Sequence, residues 1–102
     1  MSTGSSQPFR PAGTASLAAG TASANVALPV GGDSLLVTNS ASAVAFVRLG
    51  SDPSVAATTG DTPVLPGARM LLGVNPLINT AAAILAAGSG TVFFTRGDGS
   101  YL

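Results

Sequence analysis

The amino-acid sequence predicts an all-β protein, an antiparallel β-sandwich or jelly roll of about eight short strands. Apolar and polar residues alternate with a period of two from about residue 21 onward, which is the pattern of half-buried strands. Turn-forming residues interrupt this alternation roughly every 8–12 residues. No segment has the length and periodicity of a crossover helix, so we expect antiparallel pairing throughout.

Each predicted strand ends at a cluster of Gly, Pro, Asn, Asp or Ser. Pro29 and the following Gly31-Gly32-Asp33 end the first strand, and Gly50 begins the turn after the third. These residue types favour the positive φ angles and local hydrogen bonds of turns. The predicted strands cover residues 22–28, 34–38, 43–49, 55–58, 62–65, 68–74, 80–86 and 91–96.

The alanine-rich segment 81–87 is the one stretch whose intrinsic propensity favours a helix. Seven residues make only a marginal helix. The Gly88-Ser89-Gly90 sequence that follows is typical of a hairpin turn leading into the next strand. We therefore predict that this segment is a strand.

The first sixteen residues are rich in Ser, Thr, Gly, Pro and Gln. Such a composition buries too little apolar area to offset the entropy of ordering, so we predict a flexible arm over 1–16 and a β-sandwich domain over 17–102. Phe9 and Arg10 lie between two prolines that hold the chain extended. The arm is either a disordered tail or a segment that docks on a neighbouring subunit through these two residues.

Several predicted strands are apolar on both faces, notably 43–49 and 91–95. A two-layer sandwich buries only one face of each sheet, so the second apolar face needs a cover. An overlying loop is one possibility, but in so small a domain we expect a partner subunit, hence a homodimer or trimer. The interface candidates on these strands are Phe46, Arg48, Phe93 and Arg96.

Arg48 and Arg96 each end an apolar face of a predicted strand. Either arginine could extend its charged end to solvent or pair with an Asp or a backbone carbonyl. Either could equally anchor a protein interface, where arginine is enriched. The sequence leaves both interpretations open for both residues.

The amino-acid composition argues against most kinds of catalysis. The chain contains no His, Cys, Lys or Glu, and its charges are four Arg and four Asp. General acid–base catalysis needs a group that titrates near neutrality, and covalent catalysis needs an activated nucleophile. We therefore expect no enzymatic activity and no cofactor.

Ligand-binding motifs are also absent. The four aspartates each lie beside Gly or Pro, or one residue from it, where Asx turns explain them, and only the loops of Asp33 and Asp98 offer a conceivable calcium site. Zero net charge and scattered arginines argue against nucleic-acid binding. No apolar run is long enough to span a bilayer. The Arg96-Gly97-Asp98 tripeptide matches an integrin ligand, but we interpret it as the turn that ends the last strand.

Three segments resemble the small virion proteins of tailed-phage and prophage structural gene clusters. They are residues 37–50 (VTNSASAVAFVRLG), 62–67 (TPVLPG) and 92–99 (VFFTRGDG), and the resemblance extends over about 21–99. It implies a β-sandwich structural protein similar to the capsid decoration, or cement, proteins of short-tailed phages. No functional residue is carried over, because these proteins share no fixed motif.

The sequence and this resemblance together predict a non-enzymatic protein on the exterior of a phage capsid, where it would bind the major capsid protein or another virion protein. A decoration protein needs no chemistry, and a neutral surface avoids repulsion within an assembly. The alternatives are a tail, neck or fibre-attachment module, or a bacterial surface or carbohydrate-binding sandwich. The absence of Trp argues against a sugar site, because sugars usually stack on aromatic rings.

Overall fold

The computed structural model describes residues 8–75 and 77–99, and within them it is built from strands and loops alone. The all-β prediction is confirmed. No helix long and apolar enough to cross a membrane occurs in this part of the chain. The eight strands are β1 (Arg10–Ala19), β2 (Ala24–Ala27), β3 (Ser34–Asn39), β4 (Ala45–Gly50), β5 (Thr62–Val64), β6 (Arg69–Gly73), β7 (Thr80–Leu85) and β8 (Gly90–Asp98).

The strands form two four-stranded antiparallel sheets. Sheet I has the order β1-β8-β3-β6 and sheet II the order β2-β7-β4-β5. The first strand pairs with the eighth, the second with the seventh, the third with the sixth and the fourth with the fifth. This nested pairing, divided between two sheets, is the topology of a jelly roll.

Alternation along the strands fills the space between the sheets. In β4, Ala45 and Val47 are buried while Arg48 is exposed, and in β8, Val92 and Phe94 are buried while Phe93 is exposed. The core therefore draws on one side chain in two from each sheet, as the pleat requires. Sheet I contributes Leu17, Ala19, Leu35, Val37, Val92 and Phe94, and sheet II contributes Ala45, Val47, Val64, Ala81, Ala83 and Leu85.

The N-terminal boundary differs from the prediction. Residues 10–16, expected in a flexible arm, belong to β1, which pairs with β8 from Arg10 opposite Asp98 to Ala19 opposite Gly90. The arm prediction is therefore wrong from residue 10 onward, and residues 1–7 lie outside the described part of the chain. The physical reason is that an edge strand needs few apolar residues of its own, since the ladder with β8 supplies hydrogen bonds and Leu17 supplies burial.

A second difference concerns residues 55–58, which were predicted as a strand. They belong to the connection between β4 and β5 and join no sheet. The connection is held by other means: the Asn25 side-chain amide donates to the carbonyls of Pro53 (2.9 Å) and Val55 (3.1 Å), and the Ala57 amide donates to the Ser23 hydroxyl (2.8 Å). The remaining predicted strands are present, with shifted ends, and segment 81–87 is largely strand as predicted.

One buried amide fixes the turns at the end of sheet I. Asn39 is fully buried, and its Nδ2 donates to the carbonyls of Ala43 and Val64, both at 2.9 Å. Its Oδ1 accepts from the Ala41 amide at 2.9 Å. The Asn39 side chain thus forms hydrogen bonds with backbone groups of the turn that have no partner in a strand ladder. These bonds also offset the cost of burying the amide itself.

Candidate interaction surface

The outward side of sheet I is a candidate contact surface. Cross-strand register places its side chains in two rows. Residues directly opposite one another in antiparallel strands point to the same side of the sheet. The rows are Thr14, Thr95, Leu36 and Leu71, and Ser16, Phe93, Thr38 and Arg69; we call these eight residues the open face.

The open face carries one charge, Arg69, at the edge strand β6. Phe93 is 36% exposed near its centre, and Leu36 and Leu71 are half-buried beside it. The Thr14 and Thr95 hydroxyls are hydrogen-bonded to each other at 2.9 Å. Strand and residue spacings give the face an area of about 260 Å². The other polar groups of the face are the hydroxyls of Ser16 and Thr38 and the Arg69 guanidinium, so a protein partner would have to hydrogen-bond these groups or leave them hydrated.

Part of the outward side of sheet II is covered by the chain itself, and we call this side the covered side. Ala82 lies between Asn25 and Arg48 in the sheet register and points outward, yet its exposure is 0%. The β4–β5 connection lies over it, held by Asn25 at one end and by an ion pair between Arg48 and Asp61 at the other (3.3 Å). A loop therefore covers Ala82 on this side of sheet II, whereas Arg48 remains exposed and Phe46 half-buried.

Phe46 and Arg48, two of the predicted interface residues, lie on this covered side. Phe46 is half-buried, in register with Pro63 on β5 and Ile84 on β7. The Arg48 side chain remains 55% exposed, and its partner is Asp61. For Arg48 the structure favours the paired interpretation over the interface anchor.

Arg96 has a different place from Arg48. It is 3% exposed and lies on the inward side of β8, in line with Val92 and Phe94. Its guanidinium donates to the carbonyl of Gly32 at 3.2 Å, to that of Asn75 at 3.1 Å and to that of Ile78. The interface-anchor prediction for Arg96 is wrong, because this side chain joins two loops to β8 from inside.

The burial of Arg96 also shows that the Arg96-Gly97-Asp98 tripeptide is not displayed as a ligand. A displayed ligand needs an accessible arginine, and Arg96 is enclosed. Gly97 lies directly against the Arg10 backbone carbonyl of β1, where any Cβ would overlap it. The tripeptide is therefore a packed part of β8, and its interpretation as the turn that ends the strand is wrong, because the ladder with β1 continues to Asp98.

A cleft of about 420 Å³ opens next to Arg96, at the end of the sandwich. Asp33, Asn79 and Asp98 contribute to its wall. The guanidinium already donates to three carbonyls, and every buried side-chain polar atom of the described residues has a hydrogen-bond partner. The described residues contain no group of three or more metal-ligating side chains. Among the described residues, the cleft thus has no unpaired buried side-chain polar atom to which a ligand could hydrogen-bond.

The remaining candidates, Phe9 and Arg10, lie at the start of β1. Phe9 is half-buried, and Arg10 is exposed and pairs across the ladder with Asp98. Of the six predicted interface residues, only Phe93 lies on the open face; the others lie on the covered side, inside the sandwich or at one end of β1. The structure does not bring them together into one site.

Sequence reasoning missed two apolar residues of the open face, Leu36 and Leu71. Leu36 lies in the predicted strand 34–38 and Leu71 in the predicted strand 68–74, and nothing in the sequence marks either as an outward residue. The signal that could have found them is cross-strand pairing, since Leu36 is directly opposite both Leu71 and Thr95. Pairing depends on sheet topology, which the sequence leaves undetermined.

One titratable group in the covering loop is perturbed. The Ser54 backbone amide and hydroxyl both donate to the Asp52 carboxylate at 2.9 Å. Hydrogen bonds to the ionised form, first from the amide and then from the hydroxyl, hold the pKa of Asp52 below its usual 3.8. The carboxylate therefore acts as a turn cap rather than as an acid or base.

Comparisons of this chain with models of known protein families, with curated proteins and with solved structures find no match.

Proposed function

We propose that this protein is a non-enzymatic virion structural protein that binds the outer surface of an assembled phage capsid and stabilises it. The open face of sheet I is the contact surface. The partner is the major capsid protein, presented many times on the shell.

The observation that supports this proposal most is the asymmetry between the two outward sheet surfaces. The β4–β5 connection lies over Ala82 on the outward side of sheet II, whereas the outward side of sheet I has no such loop among the described hydrogen bonds and presents Phe93, Leu36 and Leu71 with one peripheral charge. A face with an aromatic residue near its centre and a surround of leucine and short hydroxyl side chains is suited to protein contact.

Composition and resemblance support the same proposal. A chain without His, Cys, Lys or Glu has no general base near neutrality and no activated nucleophile. The resemblance of 37–50, 62–67 and 92–99 to small tailed-phage virion proteins supplies the class of partner. The jelly roll is compatible with this role, but the fold hosts many functions and adds only analogy.

The experiment uses capsid shells that lack the protein, mixed with the purified chain. We expect co-sedimentation and a higher shell melting temperature. Phe93→Asp should weaken binding at least about tenfold, because it places an unpaired charge at the centre of the contact; a tenfold loss corresponds to about 1.4 kcal/mol. Phe46→Asp is the matched control on the covered side, and it should bind the shell like the native chain.

A second pair of variants keeps the test valid if either Phe variant fails to fold. Thr38→Asp changes the open face and Thr59→Asp changes an exposed position of the covering loop. Only the first should reduce shell binding. Equal binding by both members of each folded pair would contradict the proposed contact face. Co-sedimentation with purified tails but not with shells would replace the capsid role with a tail-module role.

A further inference from the structure

We propose that the free edge of β1 is a self-association site, at which two copies of the chain pair their β1 strands antiparallel about a twofold axis. Pairing would join the two copies of sheet I into one eight-stranded sheet. The proposal is independent of the capsid role and concerns the protein on its own.

Of the four edge strands in the described fold, β1 alone is both long and unprotected. Sheet II ends in β2, of four residues, and in β5, of three residues with Pro63 at its centre. Sheet I ends at β6, of five residues beginning with Arg69, and at β1, of ten residues. Short length, proline and charge are the devices that protect edges against pairing. The edges at β2, β5 and β6 each have at least one of them.

In β1 such devices are confined to its beginning. Pro11 and a shift in register between Pro11 and Gly13 disturb the first residues. From residue 13 to residue 19 the strand has no charge, no proline and no irregularity. This run of seven residues is a regular strand with one side open.

The backbone groups on that open side have no partner within residues 8–75 and 77–99. β1 is hydrogen-bonded to β8 alone. None of the loop and turn hydrogen bonds involves the backbone of residues 10–19, and the one side-chain bond from this strand joins Thr14 to Thr95. Half of the strand's N–H and C=O groups therefore face away from the sheet, as a ready template for another strand.

A second copy of β1 is the occupant that fits this template best. Antiparallel pairing about a twofold axis brings the same surface of each copy together. With Ser16 at the axis, Gly13 of one copy faces Ala19 of the other, so Arg10 lies beyond the paired run and no like charges meet. Small side chains oppose one another along the open face, and zero net charge removes long-range repulsion.

The size of this contact predicts a reversible dimer. Seven residues span about 24 Å, and the edge of a two-layer sandwich is about 20 Å thick, so each copy buries roughly 500 Å². The total of about 1,000 Å² is at the low end of specific interfaces. The dimer should therefore dissociate on dilution. If the proposed capsid role is also correct, pairing makes two open faces contiguous, with a combined area of about 500 Å².

The test exploits the absence of cysteine from the chain. Single-cysteine variants at Thr14, Ser16 and Ala18 place one thiol each along the free edge. A residue at the twofold axis lies about 5 Å from its own copy, which is within disulfide range. Under mild oxidation with diamide at about 50 µM protein, we expect one of these variants to form covalent dimer at least about tenfold faster than Thr59→Cys, an exposed control in the covering loop. Circular dichroism of each reduced variant confirms folding.

Sedimentation of the unmodified chain provides the second measurement. The mass should approach twice 9.8 kDa near 100 µM protein and fall towards 9.8 kDa on hundredfold dilution. A strictly monomeric chain at 100 µM would overturn the proposal, as would β1 cysteines that cross-link no faster than the control. Preferential cross-linking of Arg69→Cys would overturn it in favour of the β6 edge.

Discussion

Replacing Arg96 by methionine removes a buried charge that joins two loops to the centre of sheet I. The guanidinium donates to the carbonyls of Gly32, Asn75 and Ile78, and it is 3% exposed. Gly32 lies in the β2–β3 loop, while Asn75 and Ile78 lie in the β6–β7 loop. Methionine keeps much of the length and apolar volume of the side chain but donates no hydrogen bond.

The magnitude follows from three lost hydrogen bonds from a charged donor, at about 1.5–3 kcal/mol each. Removing the buried guanidinium also removes its desolvation penalty, which offsets part of this loss of stability. Gly32 and Ile78 line an open cleft, where water can partly replace the lost donor. We therefore expect the free energy of unfolding to fall by about 2–4 kcal/mol. For a domain of this size that corresponds to a drop in melting temperature of about 10–25 °C.

Urea unfolding followed by circular dichroism measures this change, with Arg48→Met as the matched control. The Arg48 side chain is 55% exposed and has one carboxylate partner, so its replacement should cost no more than about 1 kcal/mol. Arg96→Lys should fall between the two, because it keeps the charge but loses the planar fork of donors. Equal losses for Arg96→Met and Arg48→Met would refute the structural role assigned to Arg96.

Three further outcomes are expected from the geometry. Asn39→Ala should cost about 2–4 kcal/mol in urea unfolding, because it leaves several buried backbone groups without partners. Ser54→Ala should raise the pKa of Asp52 towards 3.8, measured by NMR titration; the native cap stabilises the loop above that pH and is lost as pH falls through the lowered pKa. Gly90→Ala should lower the melting temperature, because its Cβ would overlap a buried alanine in the β3–β4 connection, whereas Gly73→Ala meets no atom within 4 Å and should be nearly neutral.

The fold class could be read from the sequence because period-two alternation and turn residues are local signals. They gave seven of the eight strands, including segment 80–86, where helix propensity competed. Strand β1 was missed because its alternation involves Ala, Ser and Thr, with Leu17 as its one large apolar residue. The segment 55–58 was mistaken for a strand because extended chain and strand share a composition; its actual contacts are hydrogen bonds with Ser23 and Asn25.

The candidate site was less accessible from sequence. Phe46 and Phe93 occupy similar positions in doubly apolar strands, and Arg48 and Arg96 occupy similar positions beyond them. The structure separates each pair: one phenylalanine lies on the covered side and one on the open face, and one arginine is exposed and one enclosed. What distinguishes them is the path of the β4–β5 connection and the crossing of loops near β8. Those are long-range features that no local pattern encodes.

Hydroxyl-radical footprinting of the shell-bound protein tests the open face most directly, because phenylalanine and leucine side chains react in proportion to their exposure. On addition of shells, we expect the reactivity of Phe93 to fall several-fold, with smaller decreases at Leu36 and Leu71. Phe46 and the exposed loop residues Leu65 and Leu77 should be unchanged. Unchanged reactivity of Phe93, together with protection of Phe46 or Leu77 in the same sample, would show that the protein binds through another surface.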